Sequence, residues 1–203
     1  MPRSLGMALV ALLMLPLPSL SAQTLTWTID PGHSAAQFSV RHMVVSNVKG
    51  QFDGPSGTVT FDSKDIPGTI RVEAEIDART INTRNPDRDK DLRSDLFFDV
   101  DKYPRITFKS KRAEPGAAGH FKLIGDLTMH GVTKEVTLDV DGPTQQIVDI
   151  WGNARRGATA TTIVNRRDYG LLYNRALEAG GAVVGNEVTI TIDLEVIRQP
   201  SKE

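Results

Sequence analysis

The chain contains no cysteine. Disulfides, thiolate metal ligands, a thiol nucleophile and any lipid anchor that needs a cysteine are therefore excluded. Charge of one sign is also lacking: 24 lysines and arginines against 25 aspartates and glutamates leave a formal net charge of -1. Such a balance gives no bulk attraction to nucleic acid or to an anionic membrane. Aromatic residues are scarce, at 6%. No G-x-G-x-x-G or Walker loop occurs, so nucleotide binding has no support. The four histidines, His33, His42, His120 and His130, form no H-x-x-x-H or H-E-x-x-H pair. We therefore expect no metal, no cofactor and no assigned catalytic residue. What remains is a chain of 203 residues, 39% hydrophobic, long enough to bury a substantial core.

Residues 1–22 differ from the rest. Arg3 is the only charge, an apolar run follows from Leu5 to Leu17, and Ser19-Leu20-Ser21-Ala22 supplies small residues. A positive start, a short apolar run and a small-residue exit describe a secretory signal peptide. The run is shorter than the ~17–25 residues of a membrane-spanning helix. Cleavage is expected after Ala22, with Ser21 the other option. The protein is then exported, to the periplasm, as one domain over residues 23–203. Without disulfides, a packed core must stabilise it there.

Period-two alternation recurs along that domain. Leu25, Trp27 and Ile29 alternate with threonines, and Phe38, Val40 and His42 with Ser39 and Arg41. Val59 and Phe61, Ile106 and Phe108, Phe121 and Leu123, and Val136, Leu138 and Val140 continue the pattern. Ile70, Val72, Ala74 and Ile76 share one face, with Arg71, Glu73, Glu75 and Asp77 on the other. Val188 to Val196 alternates over its whole length, and Asn153 to Asn165 is a further strand rich in Thr and Ala. Asp53-Gly54-Pro55, Ile66-Pro67-Gly68, Glu114-Pro115-Gly116 and Asp141-Gly142-Pro143 supply turns. One apolar face per strand means antiparallel sheet. The fold expected is all-β, an antiparallel barrel of about eight strands with one or two short helices. A helix is predicted over 87–98, and a helical or irregular connection over 168–179. Ala158 and Ala160 are small, which favours an open lumen; pattern alone leaves a filled core equally open.

Local chemistry is sparse. Gly32-His33-Ser34-Ala35-Ala36 imitates a nucleophile elbow but lies between a turn and a strand, where an elbow needs a strand and a helix. Asp87, Asp89 and Asp91 begin like a calcium loop, but Leu92 and Phe98 occupy the positions that require Gly and Glu. That segment reads instead as a solvated, salt-bridged helix. Arg155-Arg156 and Arg166-Arg167 read as surface charge, with a strand-end arginine the place where an anionic headgroup would be held.

Several segments, in order, resemble one family. Asp30, His33, Ser34, Phe38, Val40 and His42 are similar to a D-x-x-H-S-x-x-x-F-x-V-x-H pattern. Thr80-Ile81 and Thr83, then Arg88-Asp89, Leu92-Arg93-Ser94 and Phe97-Phe98-Asp99, continue it, followed by Pro104, Ile106, Phe108 and Ser110. Gly125 to Thr133 resembles a G-D-L-T-x-H-G-V-T signature, and Asn165-Arg166, Asp168, Tyr169 and Gly170 an N-R-x-D-F/Y-G element. Together these resemble the YceI-like family of periplasmic, polyisoprenoid-binding-like proteins, over about Thr24 to Ile197. Asp91 stands where that family has His, and Ala158 where it has Phe.

The resemblance implies a lipocalin-like barrel whose lumen binds an isoprenoid-tailed amphiphile, a polyprenyl phosphate or an isoprenoid quinone. On that basis Phe38, Val40, Val59, Phe61, Ile106, Phe108, Ala158 and Ala160 are expected along the tail, with Phe97, Phe98 and Tyr169 closing the ends. His33, His42 and Arg166 are candidates for polar contacts at a mouth. A transient membrane contact and a homodimer are compatible with this reading. The alternatives are an enzyme using the histidines as general bases, and a non-catalytic stress or interaction protein.

Overall fold

Alternating apolar and polar residues become eleven strands in one antiparallel sheet among the described residues, 24–176 and 182–198 of the computed structural model. The expected signal peptide lies outside them. In chain order the strands are β1 (Leu25–Ile29), β2 (Ala35–His42), β3 (Ser46–Phe52), β4 (Ser56–Phe61), β5 (Arg71–Asp77) and β6 (Arg105–Pro115). They continue as β7 (His120–Met129), β8 (Val132–Asp141), β9 (Ile147–Val148), β10 (Ala154–Asn165) and β11 (Val184–Arg198). Two short helices interrupt them, α1 (Ile66–Thr69) and α2 (Pro86–Arg93).

The ring runs β11-β1-β4-β5-β6-β7-β8-β10 and closes when β10 pairs back onto β11. That last ladder is continuous from Ala154↔Arg198 to Asn165↔Glu187. The other edge of β11 is shared by β1 and β2, so these two fragments fill one position in the ring. In the same way β3 pairs with β2 and β4 with β1, and an isolated bridge, Gln51↔Asn82, carries the ring on from β3. The barrel therefore has eight strand positions, as the alternation predicted.

The two broken positions share one cause. A 3-10 turn at Pro31–His33, capped by Asp30, separates β1 from β2, and Asp53-Gly54-Pro55 separates β3 from β4. These breaks touch: a Cβ on Gly54 would lie 2.1 Å from the Pro31 carbonyl oxygen. Only glycine permits that approach. Strand β3 is absent from the sequence reading because Gly50 stands in its apolar row, between Val48 and Phe52. The ring of Phe38, directly across the ladder, covers the space a Gly50 side chain would need.

Helix α2 is shorter than predicted. Asn85 accepts from the Arg88 N–H at 3.0 Å to start it. Ser94 ends it, its Oγ donating to the Asp91 carbonyl at 2.7 Å. Nor is it simply a solvated, salt-bridged element. Asp89 is buried and accepts from the Thr83 N–H at 2.8 Å, while Arg88 donates to the Thr83 hydroxyl and carbonyl. The charged residues tie the helix to the 79–83 loop. Over 168–179, the described part is a 3-10 turn at Arg166–Tyr169 followed by irregular chain to Ala176.

The interior divides into two clusters at opposite ends of β10. One surrounds Trp27, Ile29, Phe61 and Phe121; the other surrounds Ile81, Met129, Val164 and Tyr169. Trp27 is 0% exposed and stacks on Phe61, with ring centroids 5.8 Å apart and an interplanar angle of 5°. Trp27→Ala removes a whole buried ring and is expected to destabilise the fold by ~3–5 kcal/mol. Urea denaturation checks this; a change under about 1 kcal/mol would show that the ring is not part of the core.

Candidate functional site

Closing a sheet of one-sided strands turns every apolar face inward. Here the inward side chains leave an internal cavity of about 250 Å³. That exceeds an apolar cavity of ~150 Å³ that stays dry and admits a benzene ring. The polar side chains on the wall are Gln37, Thr107, Arg156, Thr162 and Arg166; no acidic residue lines it. Small side chains keep β10 from filling the space: Ala158, Ala160 and Thr162 face the cavity.

Phe38, Val40, Val59, Phe61, Phe97, Phe98, Ile106, Phe108, Ala158 and Ala160 are all on the cavity wall. Phe97 also meets Tyr173 at 4.9 Å between rings, and Phe98 meets Phe52 edge-on at 5.8 Å, forming an aromatic group beside α2. Arg166 lines the cavity as well. Its guanidinium is already engaged, however, donating from Nε to the Gly185 carbonyl at 2.8 Å and from Nη1 to the Leu171 carbonyl. Burial, then the neighbouring Arg167, lowers its pKa from the usual value.

Three expected contacts lie elsewhere. His42 shares the parity of Phe38 and Val40, but it is the last residue of β2 before the turn and sits beyond the cavity. Tyr169 is 1% exposed within the 3-10 turn and packs into the second core cluster rather than against the cavity. Burial, with Asp168 adding to it, pushes its phenol pKa up to about 12. His33 is on the outer surface, its Nδ1 2.9 Å from Asp30.

That surface is the end of a charged network. Arg155 donates to Asp30 at 2.9 Å, to Asp149 at 2.6 Å and to Glu195. Desolvation works to raise the Asp149 carboxyl, but hydrogen bonds from Arg155, Asn153 and Trp151 outweigh it and hold the group well below the usual carboxylate range. The His33 hydrogen bond, against some desolvation and with help from Arg155, lowers Asp30 too. Asp30, His33 and Glu195 bring possible metal ligands within 4.8 Å of one another, but Arg155 already neutralises both carboxylates. Nor do these residues form a nucleophile–base pair: Ser34 Oγ accepts from the Glu195 N–H at 3.0 Å rather than bonding His33. The D-x-x-H-S element thus pins the β1–β2 break to β11 and β10.

The other motifs are structural in the same sense. His130-Gly131 is a two-residue hairpin turn with φ of 51° and 73°, joining β7 to β8. The His130 Nδ1 lies 3.0 Å from the Tyr169 carbonyl, so the turn is tied to the N-R-x-D-Y-G corner.

Two arginines read as surface charge line the cavity, Arg156 and the buried Arg166. Arg156 is not simple surface charge; it lines the cavity. Parity carried the signal, since Arg156 falls in register with Ala158 and Ala160. The apolar rows of β7, β8 and β11 were recognised as strand faces, yet Phe121, Leu138, Val140, Ile190 and Val196 also line the wall.

A YceI-like domain model matches residues 27–196. The chain belongs to the YceI-like family. A UPF0312 protein of Staphylococcus aureus strain N315 is 37% identical over 171 residues, covering 83% of this chain and 95% of the relative. BcnA of Burkholderia cenocepacia has the same fold, with a TM-score of 0.71 at 20% identity over 82% of this chain and 98% of that one. A polyisoprenoid binding domain from Saccharophagus degradans superposes with a TM-score of 0.60 at 16% identity, over 85% and 98% of the two chains.

The lowered carboxyl pKa values fix the sign of one prediction. Groups that are more acidic when folded stabilise the fold above their unfolded pKa of 3.8, and that contribution is lost as pH falls through the folded values. Arg155→Met is expected to lower the melting temperature at pH 7, and the gap from the wild type should narrow below about pH 4. Thermal melts across pH 2–7 check it; a gap that does not depend on pH would assign the loss to packing instead.

Proposed function

We propose that this protein is an exported, periplasmic carrier that holds an isoprenoid-tailed amphiphile in its barrel, either a polyprenyl phosphate or an isoprenoid quinone. The observation that carries the reading is the internal cavity, walled by apolar side chains on all eight strand positions. A long apolar tail is the ligand class that such a wall favours, because each buried methylene contributes about 0.8 kcal/mol. Membership of the YceI-like family, and a fold shared with a polyisoprenoid binding domain, support the same class. Export rests on the N-terminal sequence pattern.

Catalysis is not part of this reading. Among the described residues no serine or threonine hydroxyl bonds a histidine, and the histidines are engaged with Asp30 and the Tyr169 carbonyl or lie off the cavity wall. Transfer requires a meeting with a membrane. Two exposed apolar tips suit it: Met43-Val44-Val45 between β2 and β3, and Ile150-Trp151 before β10. Lone exposed apolar residues are ordinary on proteins, but a contiguous exposed tip marks a contact surface.

Organic extracts of the protein purified from its native periplasm, read by mass spectrometry, are expected to yield a stoichiometric isoprenoid lipid. Finding none, together with no uptake of added polyprenyl lipid, would overturn the carrier reading. Filling the cavity gives an independent check. Ala158→Phe and Ala160→Trp place bulk on the wall and are expected to lower uptake of a long-chain probe at least about tenfold, equivalent to ~1.4 kcal/mol. Unchanged binding in both variants would place the lipid outside the cavity.

A further inference from the structure

The inner row of β10, continued by one residue into the 3-10 turn after it, has an arginine at each end of its cavity wall. Arg156, Ala158, Ala160, Thr162, Val164 and Arg166 alternate along it, and all six line the cavity. Ten residues at ~3.3 Å each set the two arginines about 33 Å apart along the strand. They are not equivalent. Arg166 is held by backbone carbonyls from the far end of the barrel, as described above. Arg156 is not: its Nη1 reaches the Thr144 carbonyl at 3.2 Å, and its buried Nε has no acceptor.

No carboxylate among the described residues pairs with Arg156. Its guanidinium instead lies over two rings, with Cζ 5.7 Å from the Trp27 centroid and 5.6 Å from that of Phe61. A second guanidinium, Arg198, lies 5.2 Å from the Trp27 centroid. It extends from β11 on the same face as the cavity-lining Val196, which pairs with Arg156. Trp27 Nε1 is a further buried donor without an acceptor. This end of the barrel therefore collects hydrogen-bond donors and positive charge, with no acid among the described residues to receive them.

Such an arrangement is unfavourable by itself. A partly buried guanidinium loses hydration, and a like charge beside it adds repulsion. Desolvation, then Arg198, accordingly lowers the Arg156 pKa. Carboxylates are not in short supply nearby, since Arg155, the preceding residue, has three on the outer face. The strand separates the two: one arginine is neutralised outside, and the other is left uncompensated inside.

We propose that Arg156, with Arg198 beside it, is the seat for an acidic headgroup, a phosphate or a carboxylate, of the amphiphile whose tail occupies the cavity. This rests on the carrier reading and narrows it, favouring an acid-headed lipid over a neutral quinone. Guanidinium suits the role because its planar fork donates to two oxygens at once. The rings beneath hold that plane in place.

Calorimetry on the delipidated protein separates the possibilities, with geranylgeranyl phosphate, geranylgeraniol and inorganic phosphate as probes. The phosphate lipid is expected to bind about 10- to 100-fold more tightly than the alcohol, the range of charge-assisted hydrogen bonds. R156Q should abolish that preference, and R156K should retain part of it. R198Q, at the strand end, should reduce the preference by a smaller factor, which guards against a folding defect in R156Q. Equal binding of phosphate and alcohol lipids by the wild type would overturn the headgroup seat and leave the carrier reading standing. A preference that survives R156Q would also overturn it. Inorganic phosphate binding as tightly as the prenyl phosphate would replace it with a free-anion site. Failure of both lipids to bind would overturn the seat and the carrier reading together.

Discussion

The pairing of β11 with β10 is the constraint on which everything else rests. Without it, the sheet is an open ribbon with two unpaired edges and an apolar face on water. With it, each inward row becomes a wall. Strand β11 does more than close the ring. Its second edge holds β1 and β2 together in one position, across a break that would otherwise leave two short fragments. The Asp30–Arg155–Glu195 network fastens that junction from outside, joining the break to both closing strands. The motif residues near the start of the chain thus serve closure, and closure creates the interior.

Closure also converts register into chemistry. A strand alternates its side chains strictly, so adjacent residues of one type meet opposite environments. Arg155 and Arg156 show how far this goes. One shares three carboxylates in a part-buried network on the outer face, and its pKa rises through its hydrogen bonds to Asp149 and then Glu195. The other lies on the cavity wall over Trp27 and Phe61, and desolvation lowers its pKa. A slip of one residue would bury the paired arginine and expose the unpaired one. The long β10–β11 ladder makes such a slip expensive, since every inward small residue of β10 would move outward with it.

Much of this was readable before any coordinates. Alternation in Ile70 to Ile76 and Val188 to Val196 gives both strand type and inward face, because burial on one side of a sheet imposes a period of two. The aromatic and aliphatic wall residues follow from the same rule. What failed has physical reasons too. Strand β3 was missed because its apolar row is interrupted by Gly50, which is needed where the Phe38 ring crosses. Helix α2 was overextended because the charged spacing of Asp87, Asp91 and Asp95 runs on past Ser94, whose hydroxyl ends the helix, while Leu92, Phe97 and Phe98 face inward. These three reach one cavity through a helix end and a turn. Arg156 was misjudged because charge suggests a surface position more strongly than parity suggests an interior one. His42 and Tyr169 failed in the opposite sense, since the correct parity or burial does not fix where along the barrel a residue falls.

Energetics then separate what the wall does from what its end does. A tail of tens of carbons, at about 0.8 kcal/mol per buried methylene, gives a gross transfer from water on the order of 20 kcal/mol. That already reaches the limit of non-covalent affinity, about -18 to -21 kcal/mol. The relevant exchange for a carrier is different, because its ligand leaves a membrane rather than water. Between two apolar hosts the methylene contributions nearly cancel. The wall therefore makes residence in the barrel permissible without making it selective or irreversible. Selectivity has to come from a group that the bilayer interior does not offer. On the proposed reading that group is the Arg156 guanidinium beside Trp27, which no carboxylate among the described residues pairs, and where an acidic head would gain an ionic partner and relieve a partly buried charge in the same step.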